Sequence, residues 1–106
     1  MSKTKCNTSP DLIKSAAKAE QLLKQLANAT RLRILCSLMI EGRTVGELSE
    51  IAMLSQSAVS QHLAKMKEAG LVGATRQGQN MVYRLCSIEV RALLSTLYLI
   101  YCGPEK

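Results

Sequence analysis

The stretch that most constrains the fold is residues 44–72, TVGELSEIAMLSQSAVSQHLAKMKEAGLV, which predicts two short helices joined by a tight turn. Thr44 and Glu47 match the capping box that begins a helix, and the hydroxyl of Ser55 can cap a second helix. Gly70 can end that helix in a left-handed conformation. This pattern is typical of a helix-turn-helix, although an ordinary helical hairpin with a solvated face is the alternative.

The second helix has an apolar face and a polar face. Val59, Leu63 and Met66 repeat at helical spacing and predict the buried face. Residues with amides or hydroxyls that fall largely off this face are expected to contact base edges in the major groove: Gln56, Ser57, Ser60 and Gln61. The side chains expected to contact the DNA backbone are His62, Lys65, Arg76 and Arg84.

The charge balance favours a polyanionic partner, because the formal net charge is +6. The chain has three Tyr and no Phe or Trp, so stacking on single-stranded bases is not expected. These two observations favour double-stranded DNA. No apolar run is long enough to cross a bilayer, and residues 1–10 lack the apolar core of a signal peptide, so we expect a cytoplasmic protein.

The rest of the chain predicts a single mainly α domain with a β-hairpin. Helix starts are indicated at Ser9, Asn28 and Ser87. Residues 71–75 and 81–85 predict two strands around a polar turn, which places a wing directly after the helix-turn-helix. The expected order is α-α-α-α-β-β-α, a winged helix-turn-helix over residues 9–102. Residues 1–8 form an expected disordered tail and 103–106 a C-terminal tail.

The last predicted helix has more apolar surface than one small domain needs. Val90, Leu93, Leu94, Leu97 and Tyr101 mark one face, and Leu99 and Ile100 widen it. Such an excess on a terminal helix predicts a dimer.

The sequence is similar to the ArsR/SmtB family of bacterial repressors. The similarity is carried by LANATRLRILCSL (26–38), by residues 44–72, above all LSQSAVSQHL, and by the wing sequence VYRL (82–85). This resemblance implies a homodimer formed through the terminal helices, which binds operator DNA and dissociates from it when an inducer binds.

The usual metal sites of that family are not matched. The segment VGELSE (45–50) has no cysteine, the last helix has no histidine, and His62 is the single histidine of the chain. About four donors are needed for a tetrahedral site, so we expect neither a metal nor another cofactor. Cysteines in a cytoplasmic chain without a CxxC pair are expected to be either buried small side chains or redox groups.

Cys36 and Cys102 resemble the paired thiols of the persulfide- and sulfide-sensing branch of the family, the BigR/SqrR-like repressors, to which HlyU-like regulators are related. The resemblance implies that reactive sulfur species bridge the two thiols and release the operator. Cys86 has no match in that branch, and Cys6, in the expected N-terminal tail, is expected to have no role.

Four functions are therefore open. The leading hypothesis is a repressor switched by persulfides, polysulfides or oxidation at Cys36 and Cys102. An HlyU-like activator would use the same DNA-binding surface. A metal-responsive repressor would need an unusual thiolate site. A sulfur-transfer enzyme is disfavoured, because the chain has no Gly-rich pocket and no histidine outside the predicted recognition helix to act as a base. We expect no enzymatic activity.

Overall fold

The structure, a computed structural model, describes residues 9–103, with side chains from residue 11 onward. Within that range six helices and three strands follow one another, and their bounds are α1 Ser9–Lys14, α2 Ala16–Leu26, α3 Ala29–Ile40, β1 Arg43–Thr44, α4 Val45–Ala52, α5 Gln56–Glu68, β2 Val72–Gln77, β3 Asn80–Leu85 and α6 Ile88–Cys102. This is a winged helix-turn-helix, and the predicted fold class is confirmed. The predicted tail 1–8, with Cys6, lies outside the described residues.

Hydroxyl and amide caps begin four of the helices. Asn28, Thr44, Ser55 and Ser87 each accept a hydrogen bond from a backbone N–H three residues later, at 3.0–3.2 Å. The Thr44 N–H also donates to Glu47 Oε1 at 2.9 Å, which completes the predicted capping box. Each cap is worth about 1 kcal/mol, so these residues position the helix-turn-helix and the terminal helix.

The first predicted helix is divided at Ser15, which separates α1 from α2. Hydrogen bonds still run through the division: Ser15 N–H donates to Asp11 O at 3.1 Å, and Ala19 N–H donates to Ser15 O at 2.8 Å. The two pieces therefore follow one another closely. The predicted start agrees with the first residue of α1, Ser9, whose side chain is outside the described set.

The wing begins at a tight helix end. Gly70 has a φ of 81°, and Leu71 N–H donates to Met66 O at 2.9 Å, as in a glycine-terminated helix. The strands β2 and β3 then pair antiparallel around Gly78 and Gln79, and Gly78 has a φ of 64°. The short strand β1 adds to β3, which gives the sheet order β1-β3-β2.

The core lies between α3, α4, α5 and α6. Its fully buried side chains are Ile34, Leu35, Leu48, Val59, Leu63, Met66, Val90 and Leu94. By contrast, Leu12 and Leu23 on α1 and α2 are 63% and 54% exposed. Tyr101 is also exposed, although the helical pattern of α6 had grouped it with the buried Val90 and Leu94. The terminal helices thus leave apolar surface uncovered in the single chain.

Candidate nucleic-acid interface and dithiol cavity

The outer face of α5 is polar, as its sequence predicts. Ser57, Ser60 and Gln61 are exposed, while Val59 and Leu63 on the opposite side are fully buried. The exposed residues occupy the first two turns of the helix, where side chains of a recognition helix contact bases. Their hydroxyl and amide groups can donate and accept hydrogen bonds there.

Gln56 is exposed like the other three candidates, and its side chain also contacts the start of α4. Its side chain lies against the start of α4: Nε2 is 3.6 Å from the position that a Cβ on Gly46 would occupy. The amide therefore lies across the junction of the two helices of the helix-turn-helix.

The candidate backbone contacts do not lie on a single surface. Arg76 is next to the wing turn and pairs with Met81, whereas Arg84 pairs with Gly73 at the base of the wing. Residues directly paired across two strands share a face, and successive residues of a strand alternate faces. Met81 and Arg84 are three residues apart, so Arg76 and Arg84 project from opposite faces of the hairpin.

Arg84 lies close to the loop before β1. Its Nη1 atom is 2.6 Å from where a Cβ on Gly42 would be, so only a glycine leaves room for the guanidinium in this position. Lys65 on α5 is exposed, and His62 is half-buried. Across the described part of the chain the ion pairs are Lys24–Glu20 and Arg43–Glu41. Lys65, Arg76 and Arg84 therefore have no acidic partner there.

The wing also carries polar residues that were not among the sequence candidates. Gln77, Gln79 and Asn80 are exposed around the turn, close to Arg76 in the hairpin. The polar composition of residues 76–80 was a turn signal, and a turn signal alone does not distinguish a solvated loop from a DNA contact.

The two candidate sensor thiols line one cavity. Cys36 lies in α3 and Cys102 ends α6, and the cavity of about 780 Å³ between these helices has both in its wall. The other lining residues are Leu32, Met39, Ile40, Leu94, Leu97, Tyr98 and Tyr101. None of these side chains carries a charge at neutral pH. The sequence indicated the thiols but did not indicate this apolar lining, which depends on how α6 packs against α3.

The cavity changes the acidity of one thiol. Burial raises the pKa of Cys36 above the ordinary value of 9.0, and the nearby negative charge of an ionised Cys102 raises that pKa further. The thiolate is the reactive form of cysteine. Cys36 is nevertheless exposed, so its thiol stays accessible, but a smaller fraction of it is thiolate at neutral pH than of a free thiol.

The remaining described cysteine is apart from this cavity. Cys86 is exposed after β3, and its Sγ is 2.7 Å from where a Cβ on Gly73 would be. All three described cysteines are free thiols. Among residues 11–103, no three His, Cys, Asp or Glu side chains are grouped as a metal site requires. None of the helices in the described range has the length and apolarity needed to span a membrane.

A helix-turn-helix with an exposed polar second helix, followed by a β-hairpin, defines the class of winged helix-turn-helix DNA-binding domains. The chain belongs to the ArsR family of bacterial regulators: residues 28–73 match the family described as "Bacterial regulatory protein, arsR family".

Relatives extend the similarity over most of the chain. Over 96 residues the chain is 47% identical to the transcriptional activator HlyU of Vibrio cholerae serotype O1, covering 91% of this chain and 89% of the relative. The structure of reduced HlyU from Vibrio cholerae N16961 superposes with a TM-score of 0.79, covering 87% of this chain and 97% of that one, at 47% identity. The transcriptional repressor BigR of Xylella fastidiosa gives a TM-score of 0.82 at 34% identity, covering 90% and 97%.

Proposed function

We propose that this regulator is a cytoplasmic repressor that binds double-stranded operator DNA as a homodimer while Cys36 and Cys102 are reduced. Reactive sulfur species, or another oxidant, bridge the two thiols and release the DNA. The observation that carries the proposal is that both thiols line the same cavity between α3 and α6. No metal or other cofactor is required for this switch.

The bridging chemistry balances with a persulfide as the oxidant. A cysteine thiolate attacks the outer sulfur of RSSH, forms Cys–S–SH and displaces RS⁻. The second thiolate then attacks the cysteine sulfur of that persulfide, forms the Cys36–Cys102 disulfide and displaces HS⁻. The protons of the two thiols end on RS⁻ and HS⁻. Attack on the outer sulfur in the second step would only move the persulfide to the second cysteine. A longer bridge needs a second donor molecule: Cys–S–S⁻ attacks the outer sulfur of another RSSH, forms Cys–S–S–SH and displaces RS⁻, and the second thiolate then attacks the middle sulfur and displaces HS⁻.

A bridge at Cys36 acts close to the helix-turn-helix. The neighbouring residue Ser37 accepts a hydrogen bond from Arg43 Nε through its carbonyl at 3.1 Å. Arg43 immediately precedes Thr44, the cap of α4. A small shift of α3 can therefore move α4 and α5, and a dimer whose half-sites are spaced by one DNA turn is sensitive to such a shift.

The proposed dimer uses the terminal helices. Leu12, Ile13 and Leu23 on α1 and α2 are exposed, as are Leu99 and Ile100 on α6. Leu99 and Ile100 are absent from the cavity wall, so the dimer surface and the cavity use different sides of α6.

In the proposed complex Gln56, Ser57, Ser60 and Gln61 contact bases. His62, Lys65, Arg76 and Arg84 contact the DNA backbone. All four candidate base contacts are exposed, which supports their assignment.

Single-cysteine variants test the switch. Cys36→Ser and Cys102→Ser should each bind operator DNA like the parent and fail to release it after treatment with a persulfide donor, because neither can form the bridge. Cys6→Ser and Cys86→Ser are the matched controls and should release DNA like the parent. The readouts are operator affinity and intact mass. Release by Cys36→Ser at the parent donor concentration would disprove the switch.

A second candidate function is activation of transcription, favoured by the 47% identical relative that is named a transcriptional activator. Repressor and activator are separated by a reporter placed under a promoter that carries the operator. Deleting the regulator in reducing medium should raise expression if it represses and lower it if it activates. DNA binding and the thiol chemistry would be the same in both cases.

A further inference from the structure

The dithiol cavity is larger than transfer of a sulfur atom requires. Its volume of about 780 Å³ lies in the range of small-molecule pockets, and it is open to solvent on the side where Cys36, Ile40 and Cys102 are exposed. Apart from the two thiols, its polar groups are the phenols of Tyr98 and Tyr101. Both tyrosines are more than half exposed, so they form the rim, and the inner wall is hydrocarbon and thioether.

We propose that this cavity binds uncharged organic polysulfides, so that the carrier group attached to the sulfur decides which donors reach Cys36 and Cys102. The proposal rests on the dithiol switch proposed above and adds the class of molecule that operates it.

The physical reason is desolvation. A donor carries an organic group on each side of its sulfur chain. When these groups are apolar, they stabilise binding by leaving water and contacting the wall formed by Leu32, Leu94 and Leu97. The organic groups of a glutathione donor carry carboxylates and an ammonium group, which lose hydration where they contact the apolar wall and meet no charged side chain there to compensate. Both kinds of donor contain the same reactive sulfur chain, so the cavity distinguishes them by the attached organic groups alone.

The reaction inside the cavity balances without a further oxidant. The thiolate of one of the two cysteines attacks the central sulfur of a trisulfide RS–S–SR, which forms Cys–S–S–SR and displaces RS⁻. The other cysteine then attacks that same central sulfur and displaces the second RS⁻. The product is Cys36–S–S–S–Cys102, the trisulfide is reduced to two RSH, and the thiol protons end on the two leaving groups.

The test compares diallyl trisulfide with the trisulfide of glutathione. Reduced full-length protein carrying Cys6→Ser and Cys86→Ser is treated with each donor, and bridge formation is followed as the mass gain of one sulfur atom less two hydrogen atoms. Each rate is divided by the rate of the same protein in concentrated urea, which removes the intrinsic reactivity of the donor. We expect the diallyl donor to be favoured at least tenfold in the folded protein.

The outcomes separate this proposal from the proposed switch. Equal normalised rates, or faster reaction with the glutathione donor, would overturn the selectivity and leave the switch intact. Failure of both donors to bridge Cys36 to Cys102 would overturn the switch and with it the selectivity.

Tyr98→Lys supplies a matched variant. Tyr98 is 58% exposed at the rim, so a lysine there adds a positive charge beside the cavity without removing a core side chain. We expect this change to reduce the preference for the diallyl donor at least threefold. The control is Ser95→Lys, which adds the same charge at an exposed position of α6 outside the cavity wall and should keep the parent preference. An equal effect of both variants, or of neither, would contradict the proposal.

Discussion

Met53 holds a backbone conformation that its residue type disfavours. It lies in the turn between α4 and α5 with a φ of 59°, while its side chain is 85% exposed. The left-handed conformation costs a residue with a Cβ about 1 kcal/mol, and the exposed side chain returns little packing energy. Met53→Gly should therefore raise the free energy of unfolding by about 0.5–1 kcal/mol, measured by urea denaturation.

A glycine placed at the end of α5 is the control for Met53→Gly. Ala69 is also exposed next to a helix end, but its φ is −81°. Ala69→Gly relieves no strain and increases the freedom of the unfolded chain, so it should lower stability by about 0.5–1 kcal/mol. A loss of stability in both variants would show that Met53 is not strained.

The acidity of Cys36 gives a second prediction at this scale. Because burial and then the Cys102 charge raise its pKa, alkylation of Cys36 in folded protein should increase with a midpoint above pH 9.0, and above that of the unfolded chain. The folded state holds the Cys36 proton more tightly than the unfolded chain does. The resulting contribution of Cys36 to the free energy of unfolding is present below the pKa of the unfolded chain and is lost as pH rises through the pKa of the folded state. Peptide-resolved alkylation rates measure the midpoint. Cys102→Ser should lower the midpoint for Cys36 only in part, because the variant removes the charge at residue 102 and leaves the burial of Cys36 unchanged.

The wing gives a prediction at the scale of elements, because its two arginines project from opposite faces. If both contact phosphates, Arg76→Ala and Arg84→Ala should each weaken binding to operator and random DNA alike. Each should also reduce the slope of log affinity against log salt by about one unit. Gln61→Ala is the contrasting variant. It should lower operator binding by about 1–3 kcal/mol and leave the salt slope unchanged.

The result for the two arginines also orients the hairpin. A reduced slope for Arg76→Ala alone would mean that the hairpin approaches DNA with one face and that Arg84 serves mainly to pack over Gly42. Unchanged slopes for both would remove the wing from the interface.

Most elements were predictable because their signals are local. The caps at Thr44, Ser55 and Ser87 and the glycine end at Gly70 act within one helical turn, so the sequence indicates them directly. Strand β1 was missed because two residues, Arg43 and Thr44, are too few to show an alternating pattern. It forms only by pairing with β3, which is distant in the chain.

At the scale of the whole molecule, the candidate site was predictable only in part. Resemblance to a family singled out the thiols of Cys36 and Cys102. No sequence pattern near Tyr98 and Tyr101 indicates that these two residues form the rim of a cavity. The same limit explains Tyr101 itself: helical spacing places it on the face of Val90 and Leu94, but α6 extends beyond the core at that point. An apolar residue in a periodic pattern therefore marks a face of a helix and does not show what covers that face.

The uncovered apolar surface of the terminal helices gives the last prediction. Leu99 is 65% exposed and lies outside the cavity wall, so a charge there should not disturb the dithiol site. Leu99→Glu should convert the proposed dimer to monomer at micromolar concentration, because an unpaired carboxylate buried in an apolar interface loses its hydration. Met53→Glu places the same charge on an apolar residue that is 85% exposed and lies away from the terminal helices, and this variant should remain dimeric. Solution mass by light scattering measures both.

A monomeric parent, or a Leu99→Glu protein that stays dimeric, would contradict a dimer formed through this part of α6. A monomeric Leu99→Glu protein should also lose the steep dependence of operator binding on protein concentration, since each half-site would then be bound independently.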